Sequence, residues 1–504
     1  MGREADSFRP QSEGSRVSAS STPPADATLG VVGLGVMGRN LALNARDHGV
    51  RVVAYDAYAE VRDAFEQQAQ ADAQLHVAPD VASLVDALPA PRTILLMVKA
   101  GDVVDDTLAM LMEHLDEGDL VIDGGNSHYL DTRRRAETLA ERGFAFLGVG
   151  VSGGEEGARH GPSLMPGGDR EAYARVAPML ASMAARAPDG APCIAWLGED
   201  GAGHFVKMVH NGIEYADMQM IAEVYDVMRR GLALDADAMS ATFARWNEGP
   251  LESYLIRITS DILATRDATG GYLVDDVLDA AGEKGTGRWT AVSAFELGAP
   301  FTVVAEAVAA RSVSARVEQR AAAAQLFTGP DTHANDDADA VIADLHDALY
   351  GSKIVAYAQG LEMLARAAEA YGWSLDVAAA ASIWRGGCII RSRFLDDITA
   401  AYRSDPSLPS LLHAPFFADA LQRVQAGWRR TVARAVEHGV AVPTLSAALA
   451  YFDGYRTARG PANLIQAQRD YFGAHTFERV SGARGDFEHF DWLGAARERD
   501  EGAS

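Results

Sequence analysis

Cysteine is almost missing from this chain of 504 residues: only Cys193 and Cys388 occur, far apart. Two isolated thiols cannot form a disulfide framework or the paired spacing of a zinc site. No HExxH or CxxC cluster offers another metal centre, so no metal site and a reducing, cytoplasmic compartment are expected. Long apolar runs are also absent. No stretch of 18 apolar residues occurs, and with 48% hydrophobic residues and a mean hydropathy of −0.07 the chain reads as soluble and globular, with no membrane partner. Positive charge is scarce, 45 basic residues against 70 acidic ones for a net −25. That balance argues against nucleic acid as a partner, and any anionic substrate would need local positive charge to overcome the overall field. Lysine is scarcest of all. Only Lys99, Lys207, Lys284 and Lys353 occur. Where arginine serves almost everywhere, a retained lysine suggests a site needing a compact or deprotonable charge, because a guanidinium cannot act as a base near neutral pH. Residues 1–27 lack the apolar core of a signal peptide. Acids at Glu4, Asp6 and Glu13 argue against a transit peptide, so a disordered N-terminal tail is expected.

The length allows about three domains. An apolar run, Thr28 to Val32, meets a GLGVMG turn made of Gly33, Leu34, Gly35, Val36, Met37 and Gly38, followed by a helical pattern. A second run, Val50 to Tyr55, ends at Asp56. Strand, glycine turn, helix, strand and acid in this order form the dinucleotide-binding arrangement. Gly33 permits the tight turn, Gly35 lets backbone approach a pyrophosphate, and Gly38 allows close helix–strand packing, with the helix N-terminus facing the phosphates. A carboxylate at Asp56 would accept hydrogen bonds from both ribose hydroxyls and repel a 2′-phosphate. The following Ala57 and Tyr58 offer no arginine to hold one, so NAD is favoured over NADP. The alternative is that Asp56 merely caps the strand while Arg62 or Lys99 holds that phosphate.

Further strand-like runs at Thr93–Val98, Leu120–Ile122 and Phe144–Val149 lead into the loops KAGD, DGGNS and GVSGGEEGA. In a doubly wound sheet such loops line one crevice. There Asn126 could bridge cofactor and substrate, and Ser152, Gly153 and Gly154 could bind a carboxylate, although Ser-Gly-Gly is also an ordinary turn. From Gly201 onward the strand signals vanish, and Ala-, Leu- and Met-rich segments of helical period run to about residue 457. The first of these opens with a Gly-Ala-Gly loop and reads GAGHFVKMVHNGIEY. Lys207, His210, Asn211 and Glu214 stand at i, i+3, i+4 and i+7, on one helix face. Such a face is commonly a solvated one. Here Phe205, Val206, Met208, Val209 and Ile213 surround it, which favours a buried acid/base site. EKGTGRW at 283–289 and EAVAARSVS at 306–314 could hold a phosphate monoester through Lys284, Thr286 and Arg311, or be surface charges. WRGGCIIRS at 384–392 places Cys388 among apolar residues as buried filler, and Lys353 is given no role. The end of the chain, PANLIQAQRDYFGAHTFER, breaks the helical rhythm and reads as a docking tail.

Together GLGVMGRNLALNARDHG, DGGNS, GVSGGEEGARHGPSLMPGG, GAGHFVKMVHNGIEY, EKGTGRW, WRGGCIIRS and PANLIQAQRDYFGAHT closely resemble decarboxylating 6-phosphogluconate dehydrogenase in its long form, from about residue 28 to 479. The resemblance implies an α/β Rossmann-type coenzyme domain over 28–200 and a large all-α catalytic and dimerisation domain over 201–457. A C-terminal tail over 458–504 would reach the partner subunit of a homodimer. It implies Lys207 as general base and Glu214 as general acid. Asn126, Ser152, Gly153, Gly154, His210 and Asn211 would hold the carboxylate and hydroxyls of 6-phosphogluconate. Tyr215, Lys284, Thr286 and Arg311 would hold its phosphate, joined by Arg469 and His475 from the other chain. Val98, Lys99 and Ala100 would line the coenzyme. One departure stands out: NADP-dependent members usually carry Asn-Arg-Ser/Thr where this chain has Asp56-Ala57-Tyr58. A β-hydroxyacid dehydrogenase acting on an unphosphorylated acid shares the first motifs, but would lack the long helical domain and the Lys284/Arg311 pair. A silent NAD-binding protein would not keep the Lys207–Glu214 face.

Overall fold

The computed structural model describes residues 23–24, 26–69, 72–331 and 337–495. Most of the expected N-terminal tail, and the last nine residues, therefore lie outside the described residues. The chain packs as two units, one ending at Ala448 and one beginning at Leu449.

The first unit is built on a seven-stranded sheet: β1 (Thr28–Val32), β2 (Arg51–Tyr55), β3 (Leu75–Val77), β4 (Thr93–Leu96), β5 (Leu120–Asp123), β6 (Ala145–Ser152) and β7 (Ser163–Gly168). Their order is β3-β2-β1-β4-β5-β6-β7, parallel throughout except that β7 runs antiparallel to β6. The strands are short apolar runs such as TLGVV, TILL and LVID, almost wholly buried, as a parallel sheet covered on both faces requires. Alternate residues serve opposite layers. Val31 and Ile122 pack with Leu41, Ala42 and Ala45 of the Val36–Asp47 helix. Val32 and Val121 pack with Val104, Leu108 and Leu111 of the Asp102–Met112 helix. Strand order reverses between β1 and β4, and the loops at the carboxyl ends of these strands open a crevice there.

Past the sheet, the Ala202–Asp226 helix, hereafter the site helix, begins a helical region that includes the 34-residue Ala338–Tyr371 helix. Two local expectations need correction. The GVSGGEEGA segment is not a loop: β6 continues to Ser152, and Gly154–His160 is a helix. The Gly-Ala-Gly at 201–203 is likewise no loop: Gly201 caps the site helix, and Ala202 and Gly203 begin its first turn. Both misreadings arise because Gly150 and Gly203 serve close approach, whereas the turning glycines Gly153 and Gly154, with φ of +123° and +64°, only join β6 to the next helix. A Cβ on Gly203 would lie 2.3 Å from the carbonyl oxygens of Gly148 and Met165, and one on Gly150 would lie 2.4 Å from Cβ of Lys207. The helix thus lies directly on the backbones of β6 and β7, and that contact places Lys207 at the sheet. Strands β3 and β7 carry no strand signal in the sequence: LHV is three residues long, and SLMPGG contains Pro and Gly where strand propensity favours branched residues.

The second unit holds the Ala462–Gly473 helix and a small hairpin, β8 (Phe477–Glu478) with β9 (Phe487–Glu488). Its centre is Asp470. The carboxylate accepts from the backbone N–H groups of Thr476 (2.9 Å) and Phe490 (3.1 Å), the ring of His489 (3.0 Å) and Trp492 Nε1 (2.8 Å). Burial would push this carboxyl up, but the four donors prevail and hold it well below the usual range. No helix among the described residues is long and apolar enough to cross a membrane.

Candidate active site

The crevice at the switch point is a pocket of about 280 Å³ lined by Gly35, Val36, Met37, Val98, Lys99 and Asn126 together with Met97, Gly124, Gly125 and Val151. Its glycines differ in what they do. Gly33 has φ +94°, and a Cβ there would meet Met97 O at 2.6 Å; one on Gly38 would meet Gly33 O at 1.9 Å. Gly35 faces open space, so the phosphates of a dinucleotide could approach its backbone. The residues present therefore fit a dinucleotide. Ala100 lies half-buried beyond Lys99, and Leu34 is buried in the turn.

Asp56, nearly buried, accepts from the backbone N–H of Leu34 (2.7 Å) and of Tyr58 (3.0 Å). Each carboxylate oxygen keeps spare acceptor capacity for a ribose hydroxyl. Arg62 is placed beside it, donating to the carbonyl of Asp56 at 2.7 Å and lying 5.6 Å from the Tyr55 ring centre.

The polar face of the site helix is a connected set. Lys207 Nζ donates to Asn211 Oδ1 at 2.8 Å, and the Asn211 amide donates to Thr286 Oγ1 at 3.1 Å. The His210 ring reaches Asn211 Oδ1 (3.2 Å), Ser152 Oγ (3.3 Å) and Glu214 (3.9 Å). Burial lowers the pKa of Lys207, opposed by the carboxylate of Glu214. Burial pushes Glu214 up, opposed by Lys207 and Arg311. Burial, helped by the neighbouring Lys207 charge, holds His210 well below its ordinary value, so its imidazole is neutral. A buried amine inclined to lose its proton beside a carboxyl inclined to keep one is a base–acid pair with displaced pKa values.

The next turn carries Tyr215, whose hydroxyl accepts from the Lys284 backbone N–H at 3.3 Å. The Arg311 guanidinium lies over the Tyr215 ring at 3.5 Å and donates to Gly282 O at 3.2 Å. Thr286 begins the Thr286–Glu296 helix behind Gly285, whose φ of +92° turns the chain. A Cβ on Gly287 would strike the Tyr215 ring at 2.3 Å, which explains glycine there. Lys284, Thr286, Tyr215 and Arg311, from three segments, thus meet at one end of the Lys207 face. Gly153 and Gly154 follow Ser152 at the end of β6. Arg469 and His475 belong to the second unit, where both are exposed.

Three participants escaped sequence reasoning. Trp384 is fully buried with its ring edge-on to His210 at 5.7 Å. The carbonyl of Gly387 lies where a Cβ on Gly153 would come within 2.6 Å, so the WRGGC segment buttresses both His210 and the Ser152–Gly154 corner. Cys388 is wholly buried, as expected, and burial pushes its thiol up to about 12, which makes it inert. Lys353, given no role from sequence, forms a buried ion pair with Asp217 of the site helix at 2.7 Å. The over-dense glycines of WRGGC are the available signal for Trp384 and Gly387; the scarcity of lysine marks Lys353, but nothing local joins it to Asp217.

A doubly wound coenzyme domain leading into a helix with a buried amine and a half-buried carboxyl defines a nicotinamide-dependent dehydrogenase. Comparison with known proteins narrows the class. The family model for the NAD binding domain of 6-phosphogluconate dehydrogenase matches residues 28–198, and that for the 6-phosphogluconate dehydrogenase C-terminal domain matches residues 203–492. The chain is 50% identical over 466 residues to the decarboxylating 6-phosphogluconate dehydrogenase of Haemophilus influenzae, covering 92% of this chain and 96% of that one. It is 52% identical over 451 residues to decarboxylating enzyme 2 of Saccharomyces cerevisiae, covering 89% and 92%. The structure of Plasmodium falciparum 6-phosphogluconate dehydrogenase, described in apo form and with NADP+ or 6-phosphogluconate, superposes with a TM-score of 0.89 at 40% identity, covering 92% of this chain and all of that one. The chain belongs to the 6-phosphogluconate dehydrogenase family.

Proposed function

We propose that this protein oxidises and decarboxylates 6-phosphogluconate to ribulose 5-phosphate and CO2 in the cytoplasm, using NAD in preference to NADP. The observation that carries the reading is the Lys207–Asn211–His210–Glu214 face, with Lys207 and His210 buried and Asn211 and Glu214 half-buried, which adjoins both Ser152 and the Lys284–Arg311 cluster. When bound, the coenzyme supplies the acceptor for the hydride leaving carbon 3 of the sugar acid. Gly33, Leu34, Gly35, Val36, Met37, Gly38 and Asp56 would hold its pyrophosphate and ribose, and Val98, Lys99, Ala100 and Asn126 its nicotinamide end. Neutral Lys207 accepts the proton of the carbon-3 hydroxyl as that carbon is oxidised, leaving a β-keto acid. The bond to the carboxylate then breaks, its electrons pass into the adjacent carbonyl, and the Lys207 ammonium protonates that oxygen. Glu214 gives the resulting enediol a proton at carbon 1 while Lys207, neutral again, takes back the proton of the carbon-2 hydroxyl, which leaves the ketone of ribulose 5-phosphate. Ser152, Gly153, Gly154, His210 and Asn211 orient the carboxylate and hydroxyls. Tyr215, Lys284, Thr286 and Arg311 hold the phosphate, and in a homodimer Arg469 and His475 of the other chain's tail would complete that subsite.

The two pKa displacements give a pH dependence of definite sign. Activity needs neutral Lys207 and protonated Glu214. On the acid side it is lost because Lys207 is protonated, and on the basic side because Glu214 is ionised. Because burial lowers the first and raises the second, the two move toward each other and enlarge the fraction of molecules in the working state. Glu214→Gln should flatten the basic limb of kcat/KM and lower kcat roughly a hundredfold, while the acid limb persists. A basic limb left in place would remove Glu214 from the acid role.

Coenzyme choice rests on Asp56, whose carboxylate stands where a 2′-phosphate would be repelled. Arg62, 2.7 Å from the Asp56 carbonyl, supports the alternative reading with NADP. Initial rates on 6-phosphogluconate with each coenzyme at matched concentration separate the two. Asp56→Asn should cut any NAD-over-NADP preference by roughly tenfold, about 1.4 kcal/mol for one removed like-charge contact. A preference for NADP in the unaltered chain would assign the phosphate to Arg62 or Lys99. No rate with either coenzyme would sink the assignment altogether.

A further inference from the structure

Arg135, on the Tyr129–Ala140 helix, is 1% exposed, and all three nitrogens of its guanidinium are engaged. Nε and Nη2 grip the Asp105 carboxylate at 3.0 and 2.7 Å. Nη2 also donates to the carbonyl of Gly101 at 3.0 Å, while Nη1 reaches Ser127 Oγ at 3.4 Å and lies 3.7 Å from Asp123. Asp123 in turn accepts from Ser127 Oγ (2.6 Å) and from the Gly125 N–H (2.9 Å). Gly101 closes the loop that carries Val98, Lys99 and Ala100. Gly125 and Ser127 flank Asn126. These loops leave neighbouring strands, β4 and β5, paired through Leu96 and Asp123, and both line the dinucleotide crevice.

We propose that Arg135 is a positioning residue for the coenzyme: a single buried fork that fixes the spacing of the two loops forming one wall of the crevice. The planar guanidinium holds a carbonyl of one loop and a hydroxyl of the other at once, so neither loop moves alone. A lysine could keep the Asp105 charge contact, but as a point charge on a flexible stem it cannot hold both loops in fixed geometry. The proposal rests on the coenzyme reading above and adds to it a residue that touches neither ligand.

The test uses the full-length chain and two variants, Arg135→Lys and Ser127→Ala. Dissociation constants for NADH and NADPH would be read by nicotinamide fluorescence, and that for 6-phosphogluconate alone by calorimetry, with thermal melting as the folding check. Arg135→Lys should weaken coenzyme binding roughly tenfold and Ser127→Ala severalfold, on the scale seen when groups that orient ligand-contacting residues are removed. Binding of the sugar acid, which Asn126 of the same loop also touches on this reading, should weaken clearly less than that of the coenzyme, and the coenzyme KM should rise by more than kcat falls. If Arg135→Lys does not fold, Ser127→Ala alone decides. Unchanged coenzyme binding in a folded variant, or equal weakening toward both ligands, would overturn the positioning role. Failure of the unaltered chain to bind either coenzyme would instead sink the coenzyme reading, and this proposal with it.

Discussion

Lys207→Arg will lower kcat by about three orders of magnitude while leaving coenzyme binding within a few-fold of the unaltered enzyme. General base catalysis contributes roughly 10²–10⁴-fold, and arginine keeps its proton at every accessible pH, so the substitution retains charge and deletes only the ability to accept a proton. On the proposed mechanism, the surroundings of Lys207 make that ability available. The lysine is buried between β6 and the site helix, which lowers its pKa, and its amine is aimed by Asn211, itself fixed by Thr286. The flat approach of Gly150 under its stem leaves no room for a larger shift of the helix. Steady-state rates on 6-phosphogluconate, paired with a fluorescence titration of NADH, check both halves of the expectation. Retention of most of the activity would move the base to another group.

The second large effect is on stability. Lys353→Met should destabilise the fold by about 3–5 kcal/mol, because removing one partner of a buried ion pair leaves the other charge unpaired away from water. Lys353 and Asp217 are 0% and 1% exposed, and the pair joins the Ala338–Tyr371 helix to the site helix one turn beyond Glu214. Replacing both, Asp217→Leu with Lys353→Met, should recover most of the loss, since an apolar pair of similar size carries no desolvation cost. Denaturant midpoints for the single and double variants check this. A single variant with an unshifted midpoint would show that the pair contributes nothing.

The same pair marks a limit of reading one-dimensionally. Four lysines stood out in an arginine-rich chain, and the chemistry of a deprotonable amine pointed to Lys207. By the same argument Lys353 deserved a role, but its partner Asp217 is 136 positions away, and no local pattern joins them. The glycines show the converse. Gly33, Gly35 and Gly38 were legible because a turn motif fixes their spacing. Gly203 and Gly150 read as loop residues although each is a contact surface, because a glycine that bends a chain and one that admits a neighbour look alike in sequence.

What the sequence determined by itself is whatever depends on short-range repetition: apolar runs that become a parallel sheet, the glycine turn with its acid, and the four polar residues that a 3.6-residue period must place on one face. What only the tertiary structure decided is which of these meet. It laid the site helix against β6 and β7 through facing glycines, set Ser152 against His210, and brought Tyr215, Lys284, Thr286 and Arg311 together from three segments. It also displaced the pKa values of Lys207 and Glu214, whose first cause is burial. Burial belongs to the packing of many distant segments around a group, and no window of the chain contains that information.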